Sequence, residues 1–176
     1  MQAITQLKQE PATEQTEAGF KRDVAGWTLV VLNTLAALNA AFFFLGALKA
    51  SVGDWLMMNT CTPSIAIFVI GFLLGSPLVM VAGSVMMLYY GTGGLFVFGW
   101  DGYNIIPQIG HILMTLAVIY TVVRVVRGKK WRMLGLGVLL GLAIFIPLMI
   151  IQTRWLSTHP GVAEMLFSGN WEIPGQ

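Results

Sequence analysis

The chain has 176 residues, 56% of them hydrophobic and only 10% charged, with a mean hydropathy of +0.75. Soluble domains carry about 25% charged residues, so a water-facing surface is excluded and lipid is the expected surrounding. A net charge of +2 gives no electrostatic case for a nucleic-acid partner, and a lone cysteine, Cys61, excludes an internal disulfide and any CxxC metal or redox motif. The expected fold class is an all-α integral membrane protein, multi-pass, with four transmembrane helices in a small bundle and five as the alternative.

Residues 1–26 are polar, with Lys8, Lys21 and Arg22 against Glu10, Glu14, Glu17 and Asp23. They read as a flexible tail, because a signal peptide would place an apolar core directly after its basic start. A spanning helix needs about 20 mostly apolar residues. Residues 27–48, 105–126 and 134–151 each meet that need. The expected domains are therefore the tail 1–26, a bundle over 27–152 and an extracytoplasmic tail over 153–176. Trp27, Trp55, Trp100, Trp131 and Trp155 fall near the proposed span ends, where indole favours the headgroup level.

Residues 64–90 are apolar for longer than one straight span, and Gly75, Ser76 and Pro77 interrupt them. One reading is a single kinked helix followed by a Gly-rich loop, "GTGGLFVFGW", over 91–100. The other is two spans, roughly 55–75 and 77–99. Hydropathy favours the first and four spans overall. Charge favours the second. The cluster Arg124, Arg127, Lys129, Lys130 and Arg132 marks the cytoplasmic side. Four spans then place six basic residues inside and four outside, whereas five spans place eight inside and only Lys49 and Arg154 outside. The cluster is read as a topology determinant that also suits anionic lipid headgroups.

Helices in lipid associate through close backbone contact and hydrogen bonds. The expected contact residues are Ala36, Ala37, Ala40 and Ala41 in the first span, Gly71 and Gly75 in the middle, and Gly137 and Gly141 in the last. Asn33 and Asn39 lie within the first span, where an unsatisfied amide is costly, so both are expected to face another helix or a cavity.

His111 is the one ionisable residue deep in a span. Gln108 and Thr115, at i−3 and i+4, share its helix face. Such a residue is a functional candidate by default. Three readings compete: an imidazole hydrogen-bonded between helices, an axial ligand to a haem or chlorophyll-type pigment, and a proton or solute site. A bis-histidine haem would need His159, and no CxxCH is present for covalent attachment. Asp101, Tyr103 and Asn104 form a turn ahead of His111 that could rim a cavity, and Asp54 reads as a helix start. No GxSxG, HExxH, Walker motif or embedded carboxylate pair occurs, so the chain is not expected to be an enzyme. The favoured function is a non-catalytic subunit or assembly factor of a larger membrane complex, an energy-transducing one among the candidates, with lipid and other membrane subunits as partners. The alternatives are a small-solute transport component and a haem- or pigment-binding electron-transfer subunit using His111.

Overall fold

The computed structural model describes residues 22–100 and 104–168, and the described residues that form regular structure are helical. Helix α1 (Val24–Ala41) is capped by Asp23, whose carboxylate accepts from the Gly26 amide at 2.9 Å, and it continues as a π-helical turn over Phe42–Ala47. A short α2 (Val52–Met58) meets α3 (Cys61–Leu74) at a bend of 85°. Next comes α4 (Pro77–Met87), a π-helical turn (Leu88–Thr92) and α5 (Gly93–Val97), which together form one rod. Then follow α6 (Ile105–Arg127), α7 (Trp131–Thr158) and α8 (Pro160–Ser168). Four helical stretches are long and apolar enough to cross a membrane: Val24–Ala47, Pro77–Val97, Ile105–Arg127 and Trp131–Thr158. The bent pair α2–α3 makes up to a fifth.

The middle of the chain corrects the single kinked helix expected over 64–90. Gly75 ends α3 in the left-handed region, with φ 65°, a conformation that costs any other residue but glycine or asparagine. Ser76 then caps α4, its hydroxyl accepting from the Val79 amide, and Pro77 takes the first helical position. Proline suits that position because its missing N–H would have no partner there. Gly-Ser-Pro therefore stops one helix and starts the next. The chain reverses, and α3 and α4 pack antiparallel at backbone contact. A Cβ on Gly71 would lie 2.5 Å from the Met80 nitrogen, and one on Gly83 2.7 Å from that of Phe68. The glycine-rich stretch expected as a loop over 91–100 is helical through Val97. The expected boundary at 152/153 falls inside α7, and part of the expected C-terminal tail forms α8. Likewise, the expected tail boundary at 26 falls inside α1.

Contacts fix the helix directions. Trp27 and Phe72 meet edge to face at 5.3 Å, and Asp23 pairs with Arg124 at 3.3 Å. The start of α1, the α3–α4 turn, the end of α6 and the start of α7 thus share one end of the bundle, the basic end. Gly137 packs on Leu78 and Val81, and Gly141 on Ala82 and Val85, so α7 runs parallel to α4. Gly91 meets Met114 and Gly94 meets His111, so α6 runs antiparallel to the α4–α5 rod. The core between these helices is built on Phe68, Phe72, Met80, Met87, Met114 and Ala117.

Candidate functional site

The i−3, i, i+4 spacing of Gln108, His111 and Thr115 turns all three from α6 toward the α4–α5 rod. Gln108 is fully buried, and His111 is 6% exposed. The rod offers His111 a flat seat. A Cβ on Gly94 would come within 2.5–2.7 Å of Cε1, Nδ1 and Nε2 of the imidazole, near-equal distances that place it over the ring face. Phe98 stacks on the ring at 5.4 Å and 19°. One turn along, the Thr92 and Thr115 hydroxyls lie 3.1 Å apart, and Thr115 donates to the His111 carbonyl at 2.9 Å.

Hydrogen bonds fix the imidazole tautomer. The Gln108 amide nitrogen donates to the carbonyls of Phe98 at 2.7 Å and Gly99 at 3.3 Å. Those bonds orient the carboxamide, so its oxygen, 3.1 Å from His111 Nδ1, is the acceptor. Nδ1 must therefore carry a proton. In a neutral ring the lone pair then sits on Nε2, which has no hydrogen-bond partner among the described residues. The Phe98 and Gly99 carbonyls lie just past the end of α5, and Gln108 donates to both.

His159 does not join this site. It stacks on Trp155 at 4.3 Å, and its Nδ1 lies 2.9 Å from the Trp155 carbonyl and 3.0 Å from the Thr158 hydroxyl. Among the described residues the two histidines share no hydrogen bond or ring contact, and no group of three or more His, Cys, Asp or Glu side chains converges. Asp101 and Tyr103 lie outside the described residues, while Asn104 immediately precedes α6.

The two asparagines part ways. Asn33 is fully buried and donates to the Leu29 carbonyl at 2.9 Å and to Leu113 of α6 at 3.3 Å. Asn39 is exposed, with no hydrogen bond from its side chain among the described residues. Gly71, Gly137 and Gly141 all sit at helix contacts, whereas Gly75, expected at one, forms the α3–α4 turn.

At the basic end, Arg124, Arg127, Lys129, Lys130 and Arg132 span the end of α6 and the start of α7. Arg124 meets Asp23, and Tyr120 donates to the same carboxylate at 2.9 Å. The Gly26 amide does most to hold the Asp23 carboxyl below its usual value, helped by Tyr120 and Arg124 and opposed by burial. Arg22 donates to the Leu73 carbonyl, tying the entry of α1 to the α3–α4 turn.

A second polar cluster escaped the sequence reading. Gln152 of α7 accepts from the Tyr90 hydroxyl at 2.9 Å and donates to the Met57 carbonyl at 2.9 Å and the Thr60 hydroxyl at 3.2 Å. It thereby satisfies the backbone at the break between α2 and α3, as non-helical backbone in an apolar setting requires. The expected span ended at 151, one residue short of it. Beside this break, α1 and α3 flank an apolar groove of about 280 Å³ that includes Ala37, Ala41, Trp55, Thr62 and Val69. In its wall Trp55 Nε1 and Thr62 Oγ1 are buried without hydrogen-bond partners among the described residues.

No family model, curated protein or solved structure matches the chain.

Proposed function

We propose that this chain is a multi-pass membrane protein with five crossing elements, and that it acts as a non-catalytic subunit or assembly factor of a larger membrane complex. The crossing elements are α1, α3, the α4–α5 rod, α6 and α7. The helix directions support this count, because they bring the start of α1 to the same end as the basic cluster. Among the described residues that end then carries Arg22, Arg124, Arg127, Lys129, Lys130 and Arg132 against Lys49 and Arg154, so it is cytoplasmic by the charge rule. Helix α3 has 14 residues, about 21 Å of rise, so it is shorter than the hydrocarbon core, and Gln152 seals its far end.

One observation carries the subunit reading. Gln108, His111, Thr115 and Asn33 all hold one helix to another, and no reactive set is assembled from them. Meanwhile only 17% of the most apolar stretch of Val24–Ala47, and of Trp131–Thr158, is covered by the rest of the chain. These two faces are left for lipid and neighbouring subunits. Mild-detergent purification of the tagged chain tests this reading: a stoichiometric set of other membrane proteins is expected. A chain that purifies alone and moves a small solute in proteoliposomes would replace it with the transport reading.

A second reading rests on the lone pair at His111 Nε2, which has no hydrogen-bond partner among the described residues. That nitrogen would be the single axial ligand for a haem or chlorophyll-type pigment, which would supply redox or light-absorbing chemistry when bound. His159 lies against Trp155 and shares no contact with His111, so the described residues bring no second histidine to this nitrogen. Here the purified protein shows a Soret or chlorophyll absorption band that disappears in His111→Ala. A colourless preparation, or colour retained in that variant, removes this reading.

A further inference from the structure

Asn39 lies 15 residues after Val24 and eight before Ala47, about 22 Å along the rod from its start and about 12 Å from its end. On the membrane placement proposed above, on which this inference rests, its carboxamide sits within the hydrocarbon layer. It is exposed and has no hydrogen bond among the described residues. Its short side chain cannot reach the headgroups as Lys or Arg would. An amide with two donors and an acceptor facing acyl chains is strongly disfavoured unless a partner covers it. Asn33, six residues earlier, is buried against α6 instead, where its amide nitrogen donates to the Leu113 carbonyl while its Oδ1 has no hydrogen-bond partner among the described residues.

We infer that α1 pairs with α1 of a second copy of this chain, the two Asn39 carboxamides hydrogen-bonding to each other across a two-fold axis along the membrane normal. A carboxamide both donates and accepts, so one residue supplies both halves of the contact. Copies inserted in the same sense keep every residue at its own depth, so the axis brings Asn39 to Asn39. The flanking Leu35 and Phe42, 56% and 76% exposed, form the apolar surround of that contact. A two-fold interface uses the same patch on both copies and closes at a dimer.

Subunit counting of the full chain in lipid vesicles, over a range of protein-to-lipid ratios, tests the pairing. Dimers are expected. Asn39→Leu should weaken dimerisation about tenfold, from the loss of two interhelical hydrogen bonds, and Asn39→Gln should retain it. In a Cys61→Ser background, Asn39→Cys should form a disulfide-linked dimer on oxidation. A wild-type chain that stays monomeric, dimerisation undiminished in Asn39→Leu, or a cysteine at 39 that links to one at Tyr89 but not to itself would each overturn the pairing. Carbonate extraction separates the two levels. A monomer that resists extraction defeats the pairing alone, whereas a chain released by carbonate defeats the membrane placement as well.

Discussion

His111 sits where α6 packs on the α4–α5 rod, and its surroundings explain its polarity. The imidazole fills the space left by Gly94, and Gln108 links it to the Phe98 and Gly99 carbonyls past α5. Gly94→Ala should destabilise the bundle by about 1–3 kcal/mol through overpacking. Combined with His111→Ala it should recover part of that loss, because the ring it strikes is gone. Thermal unfolding in mild detergent measures both, and strict additivity would show that the two residues do not touch. Gln108→Leu removes the acceptor at His111 Nδ1 and the donor to the Phe98 and Gly99 carbonyls, a loss of about 1–3 kcal/mol by the same assay. At the basic end, the Asp23 carboxyl is held below its usual 3.8. Its contribution is complete above the unfolded value and is lost as pH falls through the lower folded one. The wild-type chain should therefore lose stability relative to Asp23→Asn as pH falls below the usual carboxyl value of 3.8. Parallel curves over that range would mean that the Asp23 contacts contribute nothing. The face Gln108–His111–Thr115 was legible from spacing alone. Its partner surface was not, because Gly91, Thr92 and Gly94 lie in a stretch that reads as a loop.

That misreading belongs to the scale of elements. Glycine and proline break helices in water, where the freed backbone can turn to solvent. In lipid no such alternative exists, and glycine instead lets helices approach. The same logic separates the glycines of α7. Gly137 and Gly141 lie against the α4 backbone, while a Cβ on Gly135 would meet nothing within 4 Å. Gly141→Ala should cost about 1–3 kcal/mol, whereas Gly135→Ala should be neutral or stabilising by up to about 1 kcal/mol through helix propensity. Equal effects at the two sites, measured by thermal unfolding, would mean that α4 and α7 do not pack as described. The Gly75-Ser76-Pro77 break was visible, and the three residues were weighed both as a kink and as a break between two spans, with hydropathy favouring the kink. Read in order, as left-handed stop, N-cap and first-turn proline, they specify a hairpin.

For the whole molecule, that hairpin decides the topology. One kinked helix over 64–90 would leave its two ends on opposite faces of the bundle and give four crossings. The antiparallel pair allows the five proposed above, and it gathers the start of α1, the α3–α4 turn and the α6–α7 connection at one end. The charge count across the loops already favoured this arrangement, while hydropathy opposed it because α3 is too short and its entry too polar. Hydropathy could not register that Gln152, from the far end of the chain, satisfies that entry. Cysteine accessibility in sealed, oriented vesicles tests the arrangement most directly. In a Cys61→Ser background, single cysteines replace Val24, Leu74, Lys129, Ser51 and Thr158, and a membrane-impermeant maleimide is added from either side. Cysteines at 24, 74 and 129 should label from one side, and those at 51 and 158 from the other. A cysteine at 74 shielded from both sides, or one at 24 labelled from the side opposite 129, would contradict the five-crossing account.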